Sequence, residues 1–151
     1  MPKADFRFRY QKRVRYAEID AQAVVFNSRY LEYLDIGITE YWRAAGMYDN
    51  APVAGGAEFH VAKNTVEYVR PLLLDEMMEI CIRCRRIGRS SMTFDYEIHG
   101  AGDSDDLRAR GEHVSVHVAE VKGPATPVPD WVVALFEAFE GRLLREQRVA
   151  A

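Results

Sequence analysis

The stretch "VRYAEIDAQAVVFNSRYLEYLD", Val14 to Asp35, decides the fold. Upstream of Asp20 the chain alternates: Phe6, Phe8, Tyr10, Val14 and Tyr16 share one parity, with arginines and Gln11 on the other. That spacing predicts a half-buried strand, and Lys12, which breaks the parity, marks a strand edge or a bulge. Downstream the period changes. Tyr30, Leu31, Leu34, Ile38, Tyr41, Trp42 and Ala45 recur at three- and four-residue steps, which predicts an amphipathic helix from about Ser28 to Ala45. Asn27 or Ser28 is placed to cap its first turn and Gly46 to stop it. Gly37, in mid-helix, costs about 1 kcal/mol against alanine, so close packing on a sheet is expected there. Asp20 is then a lone carboxylate in an apolar turn between strand and helix.

Working outward, a loop "GMYDNAPVAGGA" precedes four strand-like runs, at about residues 58–69, 76–87, 91–99 and 107–121. Arg70-Pro71 ends the first run, because proline cannot donate to a ladder. Residues 88–90 read as a tight hairpin turn and "GAGDSDD" as a longer polar one. After "GPATPVP" a second amphipathic helix begins at Pro129-Asp130, with Trp131, Leu135, Phe136, Phe139 and Leu143 on one face. The order strand, helix, four strands, helix predicts an α+β domain over residues 1–151, with an antiparallel five-stranded sheet on one long helix. Such a sheet leaves exposed edges, for which dimerisation is a natural remedy.

With 48% hydrophobic and 28% charged residues the composition is that of a globular protein, and a formal net charge of −3 speaks against nucleic-acid binding. No apolar run approaches the roughly 20 residues of a membrane span, and no signal-peptide core is evident, so no membrane partner and a cytoplasmic location are expected. Cys81-Ile-Arg-Cys84 supplies half of a zinc site with no second half, and strand residues three apart point to opposite faces, so two reduced structural thiols are expected. His113 and His117 share a strand face but lack a third ligand. No metal and no cofactor are expected.

On the residues Tyr16, Asp20, Val24, Val25, Asn27, Tyr30 and Leu31, the opening stretch resembles the signature of hot-dog-fold acyl-CoA thioesterases of the 4-hydroxybenzoyl-CoA thioesterase type. "VEYVRPLLLDEMMEI", Val66 to Ile80, resembles that family's Y-x-R-P-x-x-x-x-D/E segment. The element order matches over most of the chain. Members often carry glycine three residues after the aspartate; here it is Ala23, the least disruptive replacement while φ stays negative.

The resemblance implies a hot-dog fold and hydrolysis of an acyl-CoA, or acyl-carrier-protein, thioester by a homodimer or homotetramer. A carboxylate is suited to attack the carbonyl or to take a proton from water, and the sequence leaves both routes open. The family's oxyanion donor is a backbone N–H seven residues beyond the aspartate, here Asn27. Unpaired N–H groups at a helix start, at the positive end of its dipole, suit that task. Without the resemblance, Asp20 reads instead as a turn former that bonds local N–H groups. Val25, Tyr30 and Asp35 are implied at the substrate, Asp35 at the position that contacts a ring hydroxyl in the 4-hydroxybenzoyl-CoA enzyme; as a residue on the polar side of a helix it reads as a solvated carboxylate. Arg89, Ser90 and Ser91, with Arg85 and Arg86 nearby, are candidates for the coenzyme A phosphates or its pantetheine arm. The alternatives are a non-catalytic acyl-CoA-binding module, a plain dimeric scaffold, and a hot-dog dehydratase or hydratase. The last pairs a histidine with an acidic residue, and the sequence has no histidine before His60.

Overall fold

The computed structural model describes residues 2–50 and 57–146, so the middle of the expected loop, 51–56, lies outside the described residues. Its elements are β1 (Phe8–Arg13), α1 (Arg29–Ala45), a short α2 (Met47–Asn50), β2 (Glu58–Asn64), β3 (Glu67–Tyr68), β4 (Met77–Ile87), β5 (Ser91–Gly100), β6 (Leu107–Val118) and α3 (Asp130–Glu140). The sheet runs β1-β4-β5-β6-β2, with β3 also on β6, and every pairing is antiparallel. This is the hot-dog arrangement, a sheet folded around α1. The expected second run is broken in two, which adds a short sixth strand. Between its halves the Thr65 carbonyl accepts the Tyr96 hydroxyl at 2.6 Å and occupies the space a side chain on Gly111 would need.

The apolar stripe of α1 explains its place. Tyr33, Leu34, Ile38 and Tyr41 are buried against Met78, Ile80, Ile82, Phe94 and Ile98, and full burial of one such side chain stabilises the fold by about 1.5–3 kcal/mol. Gly37 lets the helix touch the sheet: a Cβ there would lie 2.6 Å from Ile80 Cγ2 and 2.8 Å from Ile82 Cδ1. The Tyr41 hydroxyl joins three elements, donating to Glu140 at 2.6 Å and accepting the Cys84 N–H at 2.9 Å. Gly46 ends α1 with φ 95°, a left-handed stop.

Three further expectations about the elements need correction. β1 ends at Arg13; Tyr16 opens a 3-10 turn, Tyr16–Glu18, and is 81% exposed, because the chain turns where the Val14 N–H bonds the Glu76 carbonyl. Neither Asn27 nor Ser28 caps α1 with its side chain; the first turn closes through backbone bonds from Arg29 to Phe26 and from Tyr30 to Asn27. Helix α3 stops at Gly141, in the left-handed conformation, so Leu143 lies beyond it and is exposed, while Val132, Val133 and Phe136 fill the core. The two cysteines are free and buried, and burial pushes the Cys81 thiol up to about 12. Among the described residues no helix is long and apolar enough to cross a membrane.

Candidate active site

The site starts from a hairpin that local chemistry builds between β1 and α1. The Phe26 N–H bonds the Glu18 carbonyl at 3.0 Å, Ile19 bridges Val25, and the Asp20 N–H bonds the Val24 carbonyl at 2.8 Å. The Ala23 N–H returns to the Asp20 carbonyl at 3.0 Å, and Ala23 has φ 61°. This is a three-residue hairpin loop closed by a left-handed residue. The conformation that glycine adopts freely is imposed here on alanine, contrary to the expected negative φ. One leg of the hairpin is tied to the entry of β4 through bonds from Val25 to Leu72 and from Leu74 to Ala23.

Asp20 heads the turn. Its Oδ1 accepts the Gln22 N–H at 2.8 Å, the bond expected of a turn former. Its Oδ2 has no partner among the described residues, and the side chain is only half-buried. One carboxylate oxygen is thus held by the turn while the other stays open.

The far leg of the hairpin runs into α1. The Phe26 N–H is taken by Glu18, whereas the Asn27 N–H finds no acceptor among the described residues. Val25, Asn27 and Tyr30 line one cleft of about 230 Å³ with Tyr68, Arg70 and Pro71. Tyr68 donates to the Asn27 carbonyl at 3.0 Å, and its ring meets Tyr30 edge-on at 5.1 Å. The Tyr30 hydroxyl accepts the Leu72 N–H at 3.3 Å, and burial pushes its phenol pKa up. Asp20 is not in the wall of this cleft; it stands at the tip of the hairpin that supplies Val25. From Asp20 to Asn27 is three residues along a two-stranded ladder, roughly 10 Å at strand spacing.

Asp35 lies elsewhere, in a second cavity of about 210 Å³ between α1 and strands β2 and β6, with Trp42, Phe59, Asn64, His113 and Ser115. Both ring nitrogens of His113 are engaged, Nδ1 with Asn64 Oδ1 at 2.6 Å and Nε2 with Ser115 Oγ at 2.8 Å. Burial lowers its pKa, against a smaller opposing pull from the Asp35 charge, so the ring is neutral at neutral pH. His117 bonds Thr126 Oγ1 at 2.8 Å. Among the described residues no group of three or more His, Cys, Asp or Glu side chains is placed to hold a metal.

Arg89, Ser90 and Ser91 are not brought to Asp20 within one chain. They follow the end of β4, whereas the hairpin docks just before its start, and the eleven residues between span roughly 36 Å. The neighbouring arginines are already paired: Arg85 with Asp95 and Glu112, Arg86 with Glu146. Two contributors were not singled out from the sequence. Tyr68 was visible inside the Y-x-R-P segment. Glu18 shares with Lys12 the parity of the apolar residues Phe8, Tyr10 and Val14, and two opposite charges on that face are the signal that marks the pair.

The described geometry has counterparts in known proteins. Residues 14–136 match the model of the thioesterase-like superfamily. An acyl-CoA thioester hydrolase, YbgC, of Escherichia coli is 32% identical over 130 residues, which cover 86% of this chain and 96% of the relative. A Thermus thermophilus thioesterase, solved with coenzyme A and zinc, superposes with a TM-score of 0.76 at 25% identity, over 91% of this chain and 98% of that one. A 1,4-dihydroxy-2-naphthoyl-CoA thioesterase from Synechocystis shares the fold, with a TM-score of 0.73 at 19% identity over 85% of this chain and 94% of that one.

Proposed function

We propose, from the premise that the chain belongs to the thioesterase-like superfamily and is a thioester hydrolase, that Asp20 and the Asn27 backbone N–H carry its chemistry on an acyl-CoA substrate. One observation supports this reading above the others. The open Oδ2 of Asp20 and the unclaimed Asn27 N–H stand on one hairpin-to-helix unit, roughly 10 Å apart along the hairpin axis. That separation accommodates a donor-to-oxygen bond, the carbonyl, an attacking water and the carboxylate arm. The Asn27 N–H, at the positive end of α1, stabilises the oxyanion that develops on the thioester oxygen. Asp20 takes a proton from water, the hydroxide oxygen bonds the carbonyl carbon, the C–S bond breaks, and Asp20 returns the proton to the leaving thiolate. In the nucleophilic variant Oδ2 itself bonds the carbon and the thiolate leaves; water then hydrolyses the mixed anhydride. Val25, Tyr30 and Tyr68 form the wall beside the acyl carbonyl.

A second copy of the chain belongs to this proposal, as a homodimer or homotetramer. Strand β2 is an edge of the sheet, and Phe26, Leu31, Val61, Tyr68 and Val69 expose apolar surface near that edge and the cleft. Only a partner's hairpin is free to bring Arg89, Ser90 and Ser91 toward the coenzyme A arm. The dehydratase alternative loses ground on His113, whose nitrogens are both committed to Asn64 and Ser115.

The test is Asp20→Asn, assayed for thiol release on aryl- and fatty-acyl-CoA thioesters. Asparagine retains an oxygen for the Gln22 N–H but removes the basic oxygen. Turnover is expected to fall by about 10²-fold or more with the melting temperature held. Wild-type turnover in the variant sinks the assignment, and binding without turnover in the wild type favours a non-catalytic module. Label in the Asp20 carboxylate after a single turnover in ¹⁸O-water identifies the nucleophilic route, with water attacking the aspartyl carbonyl of the mixed anhydride.

A further inference from the structure

Glu18 is a buried carboxylate, 2% exposed, that lines neither cleft. Lys12 Nζ from β1 donates to its two oxygens at 3.0 and 2.9 Å. The Arg15 N–H donates at 2.8 Å and Arg15 Nε at 3.3 Å. The Tyr33 hydroxyl reaches it from α1 at 2.9 Å. Its own carbonyl accepts the Phe26 N–H, the last bond of the hairpin before the open Asn27 N–H. Strand, 3-10 turn, hairpin base and helix therefore meet on one residue.

We infer that Glu18 is a positioning residue, whose carboxylate locks β1, the Asp20 hairpin and α1 into one frame and so sets the Asp20 oxygen against the Asn27 N–H. The inference rests on the proposed roles of Asp20 and Asn27. Each link has a direction. Lys12 and Arg15 hold the strand side, and Tyr33 holds the helix about one turn past its start at Arg29. Asp20 follows Glu18 by two residues and Asn27 follows its bonding partner Phe26 by one, so a shift at Glu18 moves both reacting groups. Burial works to raise the Glu18 pKa, but the bonds from Arg15, Lys12 and Tyr33 outweigh it and hold the carboxyl below the usual range, so the anchor is charged at neutral pH.

A merely structural role is separated from a positioning role by breaking the link between stability and turnover. Glu18→Gln alone leaves the half-buried Lys12 ammonium without its counter-charge, with only the Arg13 carbonyl and the Tyr33 ring beside it, and lowers the melting temperature. Lys12→Met combined with Glu18→Gln removes that uncompensated charge and recovers most of the melting temperature, yet the anchor is still missing. We expect kcat of the double variant, measured well below its melting point and normalised to folded protein, to stay at least about tenfold down, with KM within about threefold. Misplacing a reacting group by an ångström costs rates of this order. If the double variant does not fold, Tyr33→Phe decides: it leaves the ion pair intact, cuts the tie to α1, and is expected to lower kcat about threefold or more with KM held. Wild-type kcat in the folded double variant, or in Tyr33→Phe where that variant decides, overturns the inference. The Asp20 reading fails separately, on full turnover in Asp20→Asn.

Discussion

Ala23→Gly tests the hairpin on which the site is built. Ala23 holds φ 61°, where the Cβ of an L-residue crowds the backbone, at a cost of roughly 1–2 kcal/mol. Glycine removes that strain but brings more freedom to the unfolded chain, worth about 0.5–1 kcal/mol in the opposite sense. The difference favours the variant by about 0.5–1 kcal/mol. For a chain of 151 residues that is a rise in melting temperature of about 2–3 °C. The bonds from Asp20 to Val24 and from Ala23 to Asp20 are backbone bonds and survive the change, so kcat is expected within twofold of wild type. Calorimetry and a urea titration read the stability, and thiol release reads the turnover. A melting temperature that falls on Ala23→Gly refutes the left-handed closure of the loop, and with it the placing of Asp20 at the head of a three-residue turn.

Two further outcomes follow from the same structure. The Glu18 carboxyl titrates below its unfolded value of about 4.3. The unfolded chain therefore binds the extra proton first, and the stabilisation is full above that value and lost as pH falls through the folded one. The urea midpoint gap between wild type and Glu18→Gln is expected to be wide at pH 7 and to close towards pH 3; a gap independent of pH contradicts the charged anchor. Sedimentation equilibrium is expected to give a dimer or tetramer, and a lysine at Val61 on the β2 edge to weaken it; a wild-type monomer at micromolar concentration removes the second copy from the proposal.

The aspartate at the turn shows how a short apolar loop accommodates a charge. A carboxylate spent on its own backbone is structural, and one left without bonds is loosely held. Asp20 is bonded at one oxygen and open at the other, which orients the open oxygen without neutralising it. The neighbouring Asn27 N–H is open for a related reason: the hairpin ends on the Glu18–Phe26 bond and the helix ladder has not yet begun.

The sequence by itself determined the alternation of β1, the stripe of α1 with Gly37 at its contact with the sheet, the antiparallel run of strands and the turn at Asp20. These are legible because period, proline and glycine act over a few residues. It determined the family signature too, and through it Val25, Asn27 and Tyr30, which one cleft unites. Only the tertiary structure decided that Glu18 is buried against Lys12, that Ala23 takes a left-handed φ, and that Asp35 belongs to a different cavity from Asn27. Only it separated Arg89, Ser90 and Ser91 from Asp20 by the length of β4. The physical reason is that a charge on the apolar parity of a strand demands a partner without naming it, and the fold supplies the partners: for Glu18, the Tyr33 hydroxyl of α1 and the Lys12 ammonium of β1.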